Sequence, residues 1–371
     1  MHTQIMRGLL LAATAGGLWA AGTAVAGAAD TTGSEGVGSG SQAVVDVQLP
    51  ITIAGNAIGG GDATSTDAAA SQQSAAPSVG VDTTSGLDGV LSGTQAIVSV
   101  AVPVTVSGNA VSVLGDADST DASTEVAPAV APASGATTSG DSGIASGTQA
   151  PISVTAPVAV AGNAVSVLGD AQSSDATTAT DAGAAGSGSG ASTSGADGIV
   201  SGTQVLADVV APVTIGGNAV SVLGDATSTG ASTSSTATSG AGAGSSTSGV
   251  EGVLSGTQLP ISVAVPVLIG GNAISVGGDA TSEGSTVESI VAPGTPGGST
   301  GGTGGLGSGS IVPIGIGIPV TVCGNAVSLL GDAASNGAGC ATAVVPTDPT
   351  DPTDPTDPTD PTDPTDPTDP T

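Results

Sequence analysis

Carboxylates, hydroxyls and one pair of cysteines are the only side chains over most of this chain that could carry chemistry. Of 371 residues, 31 are Asp or Glu, against one His and one basic residue, and the net charge is −30. His2 and Arg7 both lie in the first ten residues, and Lys, Phe and Tyr are absent. A hydrolytic nucleophile needs an activating base, usually His or Lys, so the many Ser and Thr hydroxyls have no such partner. Carboxylate pairs remain as acid/base candidates. Most acids, however, fall in Ser/Thr/Gly/Ala-rich stretches that offer no pocket to perturb a pKa. These residue types argue against an enzyme and imply no cofactor.

The acids offer little basis for a metal site. Asp116, Asp118 and Asp121 loosely resemble a calcium loop, but the central Gly and the closing Glu are missing and the other linkers do not repeat the pattern. The Gly-Asp pairs at Asp116, Asp170, Asp225, Asp279 and Asp332 read instead as turn caps. No metal site is assigned. The polyanionic balance also disfavours nucleic acid, whose phosphates need Lys and Arg, and anionic membrane surfaces.

Residues 1–29 read as a secretory signal. Arg7 supplies the positive start, Leu9 to Ala21 the apolar run, and Ala24-Val25-Ala26 or Gly27-Ala28-Ala29 a small-residue cleavage site. The run is short for a membrane span and no stop-transfer flank follows, so secretion without a retained span is expected. Removal would leave no basic side chain, no His and no aromatic.

The elements that position these residues recur six times. Each block is an apolar run, a Pro, Val/Ile/Leu alternating with small residues, Gly-Asn-Ala, and a shorter run ending in Gly-Asp or its equivalent. The Gly-Asn pairs are Gly55-Asn56, Gly108-Asn109, Gly162-Asn163, Gly217-Asn218, Gly271-Asn272 and Gly324-Asn325, in steps of 53, 54, 55, 54 and 53 residues. A Pro stands six residues before each Asn, from Pro50 to Pro319. A fixed period of this length indicates an array of small modules.

In the second block Val98, Val100, Val102, Val104 and Val106 share one face, and Ser99, Ala101, Pro103 and Thr105 the other. That period of two is a strand signature. Gly-Asn then supplies a two-residue turn, and Ala110 to Leu114 a shorter return strand. Each block is therefore expected to be a β-hairpin, with repeats at 38–62, 91–116, 145–170, 200–225, 254–279 and 307–340. Single hairpins are marginal in water, so the modules should order by pairing with one another or with other molecules. Linkers such as 117–145 and 226–247 are expected to be disordered. At 346–371, Thr-Asp-Pro triplets predict an extended, polyproline-like tail. The fold expected is all-β modules in a largely disordered chain.

The sixth block differs. Ile311 stands where the others have Gln, Cys323 stands where they have Ala54, Ser107, Ala161, Gly216 or Gly270, and Cys340 follows downstream. In a secreted chain two Cys in one module read as a disulfide; metal binding, the alternative, lacks His and further Cys.

The run Pro-Val-Thr-Val-Cys-Gly-Asn-Ala-Val around Cys323, with a second Cys downstream, closely resembles the chaplins, small secreted surface proteins of filamentous actinobacteria. The other five blocks resemble cysteine-free versions of that module. The resemblance implies a disulfide between Cys323 and Cys340, secretion to the cell surface, and assembly into amyloid-like, surface-active β films. It implies self-association and association with other chaplin-like proteins, with cell-wall polymer as a further candidate partner. Uncharged, β-prone windows such as Ile97 to Val102 suit assembly independently, and Pro103 acts as a partial gatekeeper. An extended wall adhesin or spacer that never forms fibres is the alternative.

Overall fold

A computed structural model describes residues 30–33, 35–74, 83–128, 136–183, 190–241, 244–294 and 298–345. The signal segment 1–29 and the tail 346–371 lie outside the described residues. The described residues form 36 strands and no helix, as the all-β expectation requires.

The strands are arranged as a parallel β-solenoid of six turns, each turn giving one strand to each of six sheets. In the second turn these strands are Thr83–Ser85, Gln95–Ala101, Val104–Ser107, Ala110–Ser112, Ala117–Thr120 and Ser123–Pro128. The sheets are numbered first to sixth in that order. Pairing is in register, block on block: Val104 lies beside Ile51 of the turn before and Val158 of the turn after. Each coil therefore stacks nearly identical side chains on one another.

This differs from a row of hairpins. The strands flanking Gly108-Asn109 do not pair with each other; they diverge into the third and fourth sheets and pair with their counterparts one turn away. A type I′ hairpin turn needs positive φ at both central residues. Gly108 has φ 65°, but Asn109 is not in the left-handed region, so the chain turns a corner rather than reversing. Stacking also gives each inner strand two hydrogen-bonded neighbours where a hairpin gives one.

The stretches expected to be disordered carry strands as well. Residues 117–145 supply the fifth and sixth sheets of the second turn and the first sheet of the third, through Thr137–Ser139. Residues 226–247 do the same through Ala226–Thr229, Ser232–Ser239 and the start of Ser245–Ser248. Polar segments order here because parallel neighbours on both sides satisfy their backbone groups. Their small side chains also fit a thin interior.

The period of two holds, and the inward face is the small and polar one. Gln95, Ile97, Ser99 and Ala101 are buried while Val98 and Val100 are half-buried on the outside. Between the fourth and fifth sheets the core is a double column of alanines: Ala110, Ala164, Ala219 and Ala273 against Ala117, Ala171, Ala226 and Ala280. Val210 and Ala264 meet Ala182, Ala237 and Val291 between the second and sixth sheets. The interior of the narrow coil takes mostly small and polar side chains, with Leu206 and Leu268 the largest buried there, and most of the Val and Ile stack outside.

Candidate functional site

The six Gly-Asn pairs are brought together into one corner running the length of the stack. At Gly162 the backbone is left-handed, φ 65°, and a Cβ there would lie 2.4 Å from the Ala176 Cβ. Only glycine suits this position, because both the conformation and the close approach exclude a side chain. The turn delivers the following Asn side chain onto the Asn of the preceding turn.

The result is a continuous asparagine ladder. Asn109 Nδ2 donates to Asn56 Oδ1 at 2.7 Å, Asn163 to Asn109 at 2.9 Å, and Asn218, Asn272 and Asn325 each to their predecessor at 2.8 Å. The backbone N–H of each later Asn donates to the same oxygen, for example Asn163 N to Asn109 Oδ1 at 3.1 Å. Asn163 Nδ2 further reaches Ala161 O at 3.0 Å and Ile215 O at 3.3 Å. Inner amides are thus bonded above, below and within their own turn, the arrangement that makes stacked Asn side chains stabilising in cross-β assemblies.

Two parallel ladders accompany it. Gln149 Nε2 donates to Gln95 Oε1 at 3.2 Å, and Gln204 and Gln258 continue upward at 3.0 and 3.1 Å. Where Ile311 replaces Gln in the sixth turn, the buried Gln258 Oε1 is left without a partner. The Gly-Asp residues form an exposed column in which each carboxylate accepts the next turn's N–H, as Asp170 N to Asp116 Oδ1 at 2.9 Å. They therefore join turns to one another as well as bending the chain. Asp116, Asp118 and Asp121 do not converge: Asp116 sits in that column, Asp118 takes the Thr120 hydroxyl at 3.1 Å, and Asp121 has positive φ. Among the described residues no group of three or more His, Cys, Asp or Glu is placed to hold a metal.

Outside the corner, the outward side chains of the third and fourth sheets converge on a groove of about 1040 Å³. Val106, Val160 and Ile215 line one wall, Val111, Val165 and Val220 the other, and the asparagines form the floor. No charged side chain lines it.

Cys323 ends the third-sheet strand of the sixth turn and Cys340 lies on its sixth-sheet strand. They are joined by a disulfide, with Cα atoms 6.3 Å apart. In the second turn the same positions hold Ser107 and Thr124, whose hydroxyls are 2.9 Å apart. The bridge thus joins the same two facing sheets that this hydrogen bond joins, in one of the two end turns.

Sequence reasoning missed two sets of residues. The serines of the recurring Asp-Ala-x-Ser tie the fifth sheet to the corner: Ser119, Ser173, Ser228 and Ser282 each donate to the carbonyl of the corner Gly at 2.6 Å. That motif follows every Gly-Asp at fixed distance, so its repetition was the available signal. The second set is Asp46 and Asp208, acids inside the coil and not in linkers. Asp208 is fully buried, takes the Gly240 N–H at 2.7 Å on Oδ2 and has no partner on Oδ1. Burial pushes its carboxyl up to about 6, with the Gly240 N–H and then the Ser153 hydroxyl pulling the other way. Burial raises Asp46 as well.

Comparison with protein families gives one match: the model described as ChpA-C, of a chaplin-related family, over residues 234–289. The matched segment begins in the sixth-sheet strand Ser232–Ser239 and ends in its counterpart Thr286–Pro293, so it spans one turn of the solenoid. Comparisons with curated proteins and with solved structures gave no match.

Proposed function

We propose that this chain is a secreted, non-enzymatic cell-surface protein that assembles with copies of itself, and with other chaplin-like proteins, into a surface-active β layer. The observation that carries the proposal is the placement of its large aliphatic side chains. Ile53 is 67 % and Ile58 81 % exposed, and Val and Ile columns cover the outside of the coil. Apolar columns of this extent on a soluble surface mark an interaction face. The ChpA-C match supports the chaplin-like assignment, and the absence of Lys, and of Arg and His beyond residue 7, supports a non-catalytic role.

The stack also provides a mode of growth. Its asparagine ladder begins at Asn56 and ends at Asn325. A second copy placed head to tail would set its Asn56 on Asn325 and continue the asparagine ladder, a heterologous contact that does not close and so generates filaments. The open strand edges at the two ends are the template for that addition. The layer would then expose the aliphatic columns along the filament sides.

The test is to spread the chain from Asp30 onward at an air–water interface and follow surface pressure, circular dichroism, dye binding and fibre diffraction. Rising surface pressure with oriented fibres of about 4.8 Å spacing is expected. A monodisperse protein with no fibres and no surface activity would overturn the proposal and favour an adhesin or spacer.

A further inference from the structure

We propose that the groove along the asparagine corner is a binding site for a linear acyl or alkyl chain carried by an uncharged headgroup. Three features of the groove select that ligand. Its walls are two straight columns of Val and Ile, one from each of the third and fourth sheets, running past all six turns. At roughly 4.8 Å per parallel strand the five steps from Asn56 to Asn325 span about 24 Å. One leaflet's acyl chain occupies about 15 Å, so a single extended chain fits within the length. The volume of about 1040 Å³ lies at the upper end of ordinary ligand sites.

The floor decides against a peptide. The inner amides from Asn109 to Asn272 bond to the asparagines before and after them and to backbone carbonyls. The strands of both walls pair with their counterparts in neighbouring turns. A strand lying along the groove would bring N–H and C=O groups into apolar walls with nothing left to receive them, which is costly. A hydrocarbon chain brings none. Charge decides the headgroup: a chain of net charge −30 with no Lys, and no Arg beyond residue 7, repels carboxylate and phosphate heads.

The experiment uses the chain from Asp30 onward as a monomer, titrated calorimetrically below micelle concentration with dodecyl maltoside, octyl maltoside and dodecanoate. Saturable one-to-one binding of dodecyl maltoside is expected. The octyl probe should bind at least about tenfold more weakly, because each buried methylene adds affinity. Dodecanoate should bind more weakly than the uncharged probe of equal chain length. Val165→Trp fills the groove while keeping it apolar and should cost at least about tenfold in affinity. Val100→Trp, on the outer face of the second sheet and outside the groove, should leave binding unchanged. Non-saturating uptake, or equal binding by both Trp variants, would overturn the proposal by showing general adsorption to the aliphatic exterior. Film formation by Val165→Trp is read separately, so loss of the groove site and loss of assembly are distinguishable outcomes.

Discussion

Asn163 Nδ2 donates to Asn109 Oδ1 at 2.9 Å across 54 residues of sequence. The contact is local in space and distant along the chain, as every sheet contact in this stack is. It also links a residue type usually confined to single turns into a continuous column along one corner of the fold.

Removing an inner rung of that column should be far more damaging than removing an end rung. Asn163→Ala leaves the Asn109 and Asn218 amides each short of a buried partner, and should cost about 2–4 kcal/mol. Asn325→Ala, the last rung, removes the side-chain donor to Asn272 without leaving a following Asn short, and should cost about 1 kcal/mol. Urea midpoints of the two variants check this; equal losses would show that the ladder is not cooperative.

The corner glycine is held by a specific neighbour. Gly162→Ala should destabilise by about 2–4 kcal/mol, since it combines a left-handed backbone with overpacking. Adding Ala176→Gly removes the Cβ lying 2.4 Å from the new one and should restore about 1 kcal/mol or more. A double-mutant cycle on thermal midpoints measures the coupling. Strict additivity would contradict the contact.

Asp208 should make the protein less stable as pH rises. A carboxyl whose folded value is about 6, against about 3.9 when unfolded, favours folding when protonated. The cost is absent below about pH 4, grows between about pH 4 and 6, and is constant above, reaching about 3 kcal/mol. Asp46 acts in the same direction. Asp208→Asn should therefore be more stable than the parent at pH 7 and indistinguishable from it near pH 4. Comparing the two proteins at each pH separates this effect from general charge repulsion. Parallel stability curves across pH 4 to 7 would contradict it.

The disulfide should act locally. Replacing both Cys323 and Cys340 by Ser opens a loop of 17 residues' separation, worth about 3 kcal/mol. Because turns contact only their neighbours, the loss should concentrate in the sixth turn. Hydrogen exchange is expected to speed up in Val320–Cys323 and Gly339–Val344, with the amides of Val104–Ser107 unchanged. Uniform loss of protection would show that the stack unfolds as one unit.

Repeat number, the all-β class, the alternation of Val98 to Val106 and the special place of Gly108-Asn109 could all be read from local sequence. The partner of each strand could not. Gly-Asn between alternating residues suits a hairpin locally, and only the register of Val104 beside Ile51 and Val158 reveals stacking. The polar stretches misled because Ser, Thr and Gly usually signal disorder, whereas Ser119 and Ser173 here occupy identical inward positions one turn apart. Their recurrence after each Gly-Asp carried that information; their composition hid it. The groove was hidden for the same reason, since its walls come from strands that meet only after coiling.

The most direct test of the stacked coil is a distance between turns. Spin labels at Ile58→Cys and Val327→Cys, with the native disulfide intact, sit on fourth-sheet strands five registered steps apart. Double electron–electron resonance on the monomer should give one narrow distribution near 24 Å. A broad distribution extending well beyond 40 Å, as separate hairpins on disordered linkers would give, would contradict the solenoid.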